Sequence, residues 1–193
     1  MEIHLGKFLG RGMDRFCYEN LDNPNTCLKV SKLDNSRQSI KEARYFKYLQ
    51  KKGIAPSFMP KFVGLYTIGN DMIMEQEYFR TTEEETAIGL REYLSVASDA
   101  ELEELEKELQ KLKAEMIRLN VIVTDMRTTN FMVMLKDKKI EKLVIFDGYG
   151  CPELIPLAQW IPSLGKRKLE KHWKRFFGRY EAEKVQYRQK GES

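Results

Sequence analysis

Histidine is nearly absent from this 193-residue chain: His4 and His172 are the only two. Neither stands near another plausible ligand, which argues against Ser-His-Asp and Cys-His hydrolases and leaves acid–base chemistry to carboxylates. Cysteine is scarce too. Cys17, Cys27 and Cys151 are odd in number and lack C-x-x-C spacing, so they support neither a disulfide framework nor a zinc site and read as buried thiols. No apolar run approaches the roughly 18 residues that span a bilayer, and the start Met1-Glu2-Ile3-His4 has no basic stretch leading into an apolar one. The expectation is a cytoplasmic protein. A strong charge of one sign is also missing: 32% of residues are charged but the net charge is +4, too weak by itself to indicate a nucleic-acid binder. No internal repeat or low-complexity segment occurs, and the length suits one ordinary core or two small lobes.

What is present reads as two halves. Ile3 to Lys29 predicts three strands, joined first by the glycine-bearing turn Leu9-Gly10-Arg11-Gly12-Met13-Asp14-Arg15 and then by Leu21-Asp22-Asn23-Pro24-Asn25, dense in turn formers. Thr26 to Val30 is a short apolar strand carrying Lys29. A helix is expected from about Ser39 to Gly53, with Ser39-x-x-Glu42 as a capping box. Two strands follow, Pro60 to Thr67 and Asp71 to Glu77. The expected division places an N-terminal lobe at residues 1–79, a small antiparallel sheet with one helix, and a reduced, mainly helical C-terminal lobe at 80–193. In the second half, an acidic stretch Thr82 to Thr86 precedes a short helix from Ala87 to Val96. A long helix starts at the capping box Ser98-Asp99-Ala100-Glu101, with Leu102, Leu105, Leu109, Leu112, Met116 and Leu119 on one face. A packed core helix explains that stripe with a coiled coil as the alternative, since only about two and a half heptads are present. Asn120 ends it. A basic, aromatic helix is expected from about Gly165 to Gln189.

Asp125 and Asn130, five positions apart in Val123-Thr124-Asp125-Met126-Arg127-Thr128-Thr129-Asn130, carry the chemistry. The spacing is similar to the catalytic loop of a protein kinase, where the Asp orients or deprotonates the attacking hydroxyl and the Asn holds magnesium. A polar turn that caps a helix and opens a strand is the bland alternative. The context matters: Phe131 to Leu135 reads as a strand, Lys136 to Lys139 as a turn, and Ile140 to Phe146 as a second strand ending on Asp147-Gly148. Phosphoryl transfer needs positioning and charge neutralisation above all. Gly10 and Gly12 would let backbone amides approach phosphates, with Arg15 as a nearby charge, although two hairpin glycines also serve simply as turn residues. Lys29 would pair with the inner phosphates, held by Glu42, unless it snorkels to solvent. Backbone groups of Glu75 and Glu77 would recognise adenine with Met74 at the back of the pocket; the alternative there is an edge strand with charged ends. Asn130 and Asp147 would hold Mg2+, and Arg127 would steady the transferred group.

The chain also resembles the YrbL family of PhoP regulatory network proteins, small and kinase-like. The resemblance rests on Gly10 to Tyr18, Cys27-Leu28-Lys29-Val30, the Asn120 to Asn130 loop, Ile155-Pro156-Leu157-Ala158-Gln159-Trp160 and the basic run Lys166 to Phe177. It implies an α+β, protein-kinase-like two-lobed fold with a reduced C-terminal lobe and ATP binding, and little about the substrate. Departures from ordinary protein kinases are plain. Val123-Thr124 stands where His-Arg precedes the catalytic Asp, which argues against activation-loop phosphorylation as a switch. Asp147-Gly148-Tyr149-Gly150 replaces Asp-Phe-Gly, and roughly forty residues follow it, too few for a full activation segment. Cys151-Pro152-Glu153 lies too close to Asp147 to serve as Ala-Pro-Glu.

Three function classes follow. The leading expectation is an ATP- and Mg2+-dependent phosphotransferase with Asp125 as base and an acceptor that is a protein, sugar, lipid or small molecule; nucleotidyl transfer stays open. The second is a nucleotide-binding pseudokinase acting as a regulatory module. The third is nucleic-acid or anionic-membrane binding through residues 166–180, where basic residues interleave with Trp173, Phe176, Phe177 and Tyr180; the plainer reading is a helix packed by its aromatic face.

Overall fold

Strand pairing in the first half follows the turns that the sequence marks. The computed structural model describes residues 3–12, 14–150 and 156–191. Met13 and the segment Cys151-Pro152-Glu153 lie outside the described residues, as do Leu154 and Ile155. The fold is mixed α+β, and the chain divides into two compact units: Met1–Ala55 with Pro60–Phe79, and Pro56–Met59 with Arg80–Ser193.

Unit 1 holds β1 (Leu5–Arg11), β2 (Phe16–Asn20), β3 (Thr26–Lys32), α1 (Arg37–Lys51), β4 (Phe62–Ile68) and β5 (Asp71–Glu77). The strands form one antiparallel sheet in the order β1-β2-β3-β5-β4. β5 is therefore interior, which corrects the edge-strand alternative and explains why Met72 to Gln76 are all buried. α1 starts at Arg37, two residues before the expected cap, and Ser36 precedes it without a side-chain cap bond. The Ser39/Glu42 capping box does not form: both residues are buried on the helix's inner face with Ala43, Phe46 and Leu49. Phe46 stacks on Phe62 with ring centroids 5.5 Å apart. Gly53, at φ +67°, ends the helix in a Schellman turn, its N–H donating to Gln50 and that of Ile54 to Leu49.

Unit 2 holds β6 (Glu85–Gly89), α2 (Leu90–Val96), α3 (Asp99–Leu119), β7 (Phe131–Lys136), β8 (Lys139–Ile145), α4 (Leu157–Trp160) and α5 (Pro162–Gly191). The expected helix over Ala87–Val96 opens as strand: Ala87, Ile88 and Gly89 pair with Met134, Val133 and Met132, and the helix begins only at Leu90. Pairing with a strand more than forty residues later overrides the local pattern. The second capping box is present, Ser98 Oγ accepting from the Glu101 N–H and Glu101 from the Ser98 N–H. The α3 stripe is core, with Leu102, Leu105, Leu109, Leu112 and Met116 buried. β7 and β8 join through Asp137 and Lys138, both at positive φ, a two-residue turn whose twist matches the strands. α5 packs by its aromatic face: Trp173 and Phe176 surround Phe131, and Phe176 stacks on it at 4.7 Å. Among the described residues no helix is long and apolar enough to cross a membrane.

Candidate functional site

In unit 2 the Asp125 loop and the Asp147 step are built into one another. Thr124 and Asp125 donate their N–H groups to the Gly148 carbonyl at 2.9 and 3.4 Å, Val123 bridges Tyr149, and Gly150 donates to the Ile122 carbonyl at 3.0 Å. Only glycine fits at 148. Its φ is +87°, and a Cβ there would stand 2.8 Å from Asp125 Cβ and 2.9 Å from the Asp125 carbonyl oxygen. Asn130 joins the same patch by two bonds. Its Nδ2 donates to the Asp125 carbonyl at 2.9 Å, and its own carbonyl accepts the Phe146 N–H at 3.0 Å, next to Asp147. Asp147 Oδ1 in turn accepts the N–H of Gly148 at 2.9 Å. The segments of the three residues that the spacing singled out are thus tied together by hydrogen bonds that each use at least one main-chain group.

Arg127 Nε donates to Asp125 Oδ1 at 2.7 Å, and both side chains are open to solvent, 56% and 40% exposed. That hydrogen bond raises the Arg127 pKa, and the Asp147 charge adds to it. As a test of metal fit, Asn130 spends its amide nitrogen on the Asp125 carbonyl, so Oδ1 is the atom it could offer a cation, and Asp147 could offer a carboxylate oxygen. Among the described residues no group of three or more His, Cys, Asp or Glu side chains could hold a metal. One carboxylate and one amide oxygen suit Mg2+, which completes its shell with phosphate oxygens and water, better than they suit zinc or calcium.

The loop has supports that the sequence did not reveal. Arg91 of α2 donates Nε to Thr128 Oγ1 at 3.0 Å and pairs with Glu183 of α5 through both nitrogens, at 3.1 and 2.6 Å. Thr128 also donates to Glu183, and Arg179 donates to the Met126 carbonyl at 3.0 Å. Burial alone would raise the Glu183 pKa, but the Arg91 and Thr128 hydrogen bonds outweigh it and hold the carboxyl below its ordinary range. An acidic residue within a basic helix gives no local sign of this clamp. The C-terminal aromatics are committed elsewhere: Trp173, Phe176 and Tyr180 are fully buried, so bases cannot stack on them, while Lys166, Arg167, Lys171, Lys174 and Arg175 stay exposed.

In unit 1, β3 delivers Lys29 and α1 delivers Glu42, both buried, with Lys29 Nζ 4.0 Å from Glu42 Oε1. Arg15 is closer. Its Nη1 meets Glu42 Oε2 at 2.5 Å and it is only 5% exposed, so it is a buried partner of Glu42 and not a charge at the mouth of the turn. A guanidinium fork forms the stronger bond to a carboxylate, which is why Arg15 takes the nearer oxygen. Gly12 donates its N–H to the Arg15 carbonyl at 2.8 Å, closing the turn, whereas a Cβ at Gly10 would meet nothing within 4 Å. Met74 is fully buried in β5. Glu75 is paired by main chain to both Leu28 and Gly64, and its carboxylate is buried, accepting from Thr26 Oγ1 at 2.8 Å, Asn20 Nδ2 at 3.0 Å and Tyr66 at 3.1 Å. Glu77 donates its N–H to the Lys61 carbonyl at 2.8 Å, and Tyr78, just past the strand, donates to Asn25 at 2.9 Å.

Comparison with known proteins agrees with the resemblance. The profile described as PhoP regulatory network protein YrbL matches residues 2–181. Two relatives bearing the name Uncharacterized protein YrbL, from Escherichia coli (strain K12) and Shigella flexneri, are each 23% identical over 172 residues, 87% of this chain and 82% of theirs. The profile match over nearly the whole length shows that the chain belongs to the YrbL family.

Proposed function

We propose that this chain is an ATP- and Mg2+-dependent phosphotransferase with a protein-kinase-like, two-lobed fold and a reduced C-terminal lobe. The observation that carries the reading is the interlock of the Asp125, Asn130 and Asp147 segments, in which Gly148 packs on Asp125 and Asn130 bonds the Asp125 carbonyl and the Phe146 N–H. Asp125 would accept the proton of the acceptor hydroxyl, and Arg127, already paired with it, would orient that carboxylate and offset charge on the transferred group. Asn130 and Asp147 would hold the metal, which supplies charge neutralisation at the phosphates. Lys29, braced by Glu42, would bind the inner phosphates. The acceptor is a protein, sugar, lipid or small molecule carrying a hydroxyl.

Thermal unfolding tests the nucleotide site directly. Ligand at a hundred times its dissociation constant stabilises by about 2.7 kcal/mol, or roughly 5 to 11 °C at this chain length. A rise with ATP and Mg2+ that a chelator removes and Asp147→Asn abolishes is expected; no rise at saturating ATP rejects the reading. One observation favours the pseudokinase alternative: Glu42 bonds Arg15 more closely than Lys29, so the phosphate-positioning pair is shared with a second cation. Nucleotide binding without consumption across a broad acceptor screen would select it.

A further inference from the structure

Cys17 and Cys27 stand on the neighbouring strands β2 and β3. The register sets Cys17 opposite Lys29 and Cys27 opposite Glu19, so the two cysteines are diagonal neighbours on the face that also carries Lys29. Their thiols hydrogen-bond each other, and neither is in a disulfide. The pair is asymmetric. Cys27 is 4% exposed, with Sγ 4.0 Å from the Glu77 carbonyl oxygen, whereas Cys17 is partly open to solvent. Its bond to Cys17, and after that burial, push the Cys27 thiol up, while Lys29 pulls the other way. The solvent-reaching Cys17, across the ladder from Lys29, is therefore the sulfur that an oxidant meets first.

We propose that Cys17 and Cys27 form a reversible oxidation site for hydroperoxides, closing a disulfide across β2 and β3. The Cys17 thiolate attacks the outer oxygen of the hydroperoxide; an S–O bond forms, the O–O bond breaks, and the remaining oxygen leaves as an alcohol, or as water from hydrogen peroxide. Cys27 sulfur then attacks Cys17 sulfur. The S–S bond forms, the S–O bond breaks, and hydroxide leaves with the Cys27 proton as water. Two thiols lose two electrons and one hydroperoxide gains them. Diagonal neighbours lie about 7–8 Å apart at Cα in a regular ladder, past the roughly 4.4–6.8 Å usual for a disulfide, so the bond closes only with backbone movement. The closed bond therefore draws the strands together, and strained disulfides of this kind are the readily reduced ones. The site goes beyond the phosphotransferase reading and does not depend on it.

The test uses the full chain carrying Cys151→Ser, hydrogen peroxide as the probe, unfolding in urea, and alkylation of the remaining thiols with N-ethylmaleimide. Expected are loss of both alkylatable thiols, an intact mass lower by two hydrogens, a non-reduced peptide linking residues 17 and 27, and recovery of both thiols with dithiothreitol. Adding Cys17→Ser keeps Cys27 alkylatable at the same peroxide dose. Adding Cys27→Ser leaves a sulfenic acid at Cys17 that dimedone traps. Two thiols still alkylatable after exposure, a link between chains instead of within one, or Cys27 oxidised as fast without Cys17 overturns the proposal.

Discussion

Gly148→Ala probes the frame of the candidate site, and its cost follows from two separable effects. The first is backbone strain: at φ +87° an alanine occupies the left-handed side of conformational space, at about 1–2 kcal/mol. The second is contact, since the new Cβ would lie 2.8 Å from Asp125 Cβ and 2.9 Å from the Asp125 carbonyl oxygen, neither of which swings away like the end of a long side chain. Overpacking of this kind costs about 1–3 kcal/mol. Gly53→Ala is the matched control, with φ +67° and nothing within 4 Å of the added Cβ, so it carries the strain alone. The difference between the variants isolates the contact, and at roughly 2–4 °C per kcal/mol for a chain of this size it amounts to about 2–12 °C. Calorimetric melts and urea midpoints of both variants measure it. Amide exchange at Thr124, whose N–H reaches the Gly148 carbonyl at 2.9 Å, should accelerate in Gly148→Ala only. A Gly148→Ala variant that melts no lower than Gly53→Ala would refute the packing of the two loops described above.

Glu42→Ala should destabilise by about 3–5 kcal/mol, because it breaks the buried Arg15–Glu42 ion pair; urea unfolding checks this, and a loss under 1 kcal/mol contradicts the buried pair. Glu183 has a lowered folded pKa, so its contribution is fully present above the ordinary carboxylate range and disappears as pH falls through the lowered value. Glu183→Gln should accordingly be less stable than the parent at neutral pH and converge with it in acid, by about 1 kcal/mol or less given the partly exposed Arg91; a gap unchanged by pH counts against the clamp. Asp125→Ala should lower turnover by roughly 10²- to 10⁴-fold with any acceptor found, and unchanged turnover removes Asp125 from the mechanism.

Local signals were legible where a single element decides its own shape. The α3 stripe, the Ser98/Glu101 box and the β7–β8 hairpin are of this kind, and Asp125, Asn130 and Asp147 could be named together because that hairpin brings one end of its sequence back to the other. Partner choice across the fold was not legible. Ala87-Ile88-Gly89 carries helix-compatible residues and becomes a strand because β7 is beside it. Ser39 and Glu42 have capping-box spacing, yet α1 begins earlier and turns both inward. Glu75 stands out in the sequence only for its backbone groups, and only the assembled sheet supplies the Asn20, Thr26 and Tyr66 groups that let its carboxylate be buried.

Pro56–Met59 belongs with unit 2 although it lies between two elements of unit 1, and Phe58 lends its carbonyl to the Ile145 N–H at 2.8 Å and to the Tyr149 hydroxyl at 3.3 Å. The polypeptide therefore passes between the units three times. A gene truncated to begin at Arg80 would strip β8 of an acceptor at its last residue, and one ending at Phe79 would carry a four-residue splint with nothing to brace. Neither half is a portable module, and a clean dissection calls for a permuted or co-expressed design that keeps residues 56–59 with the later half.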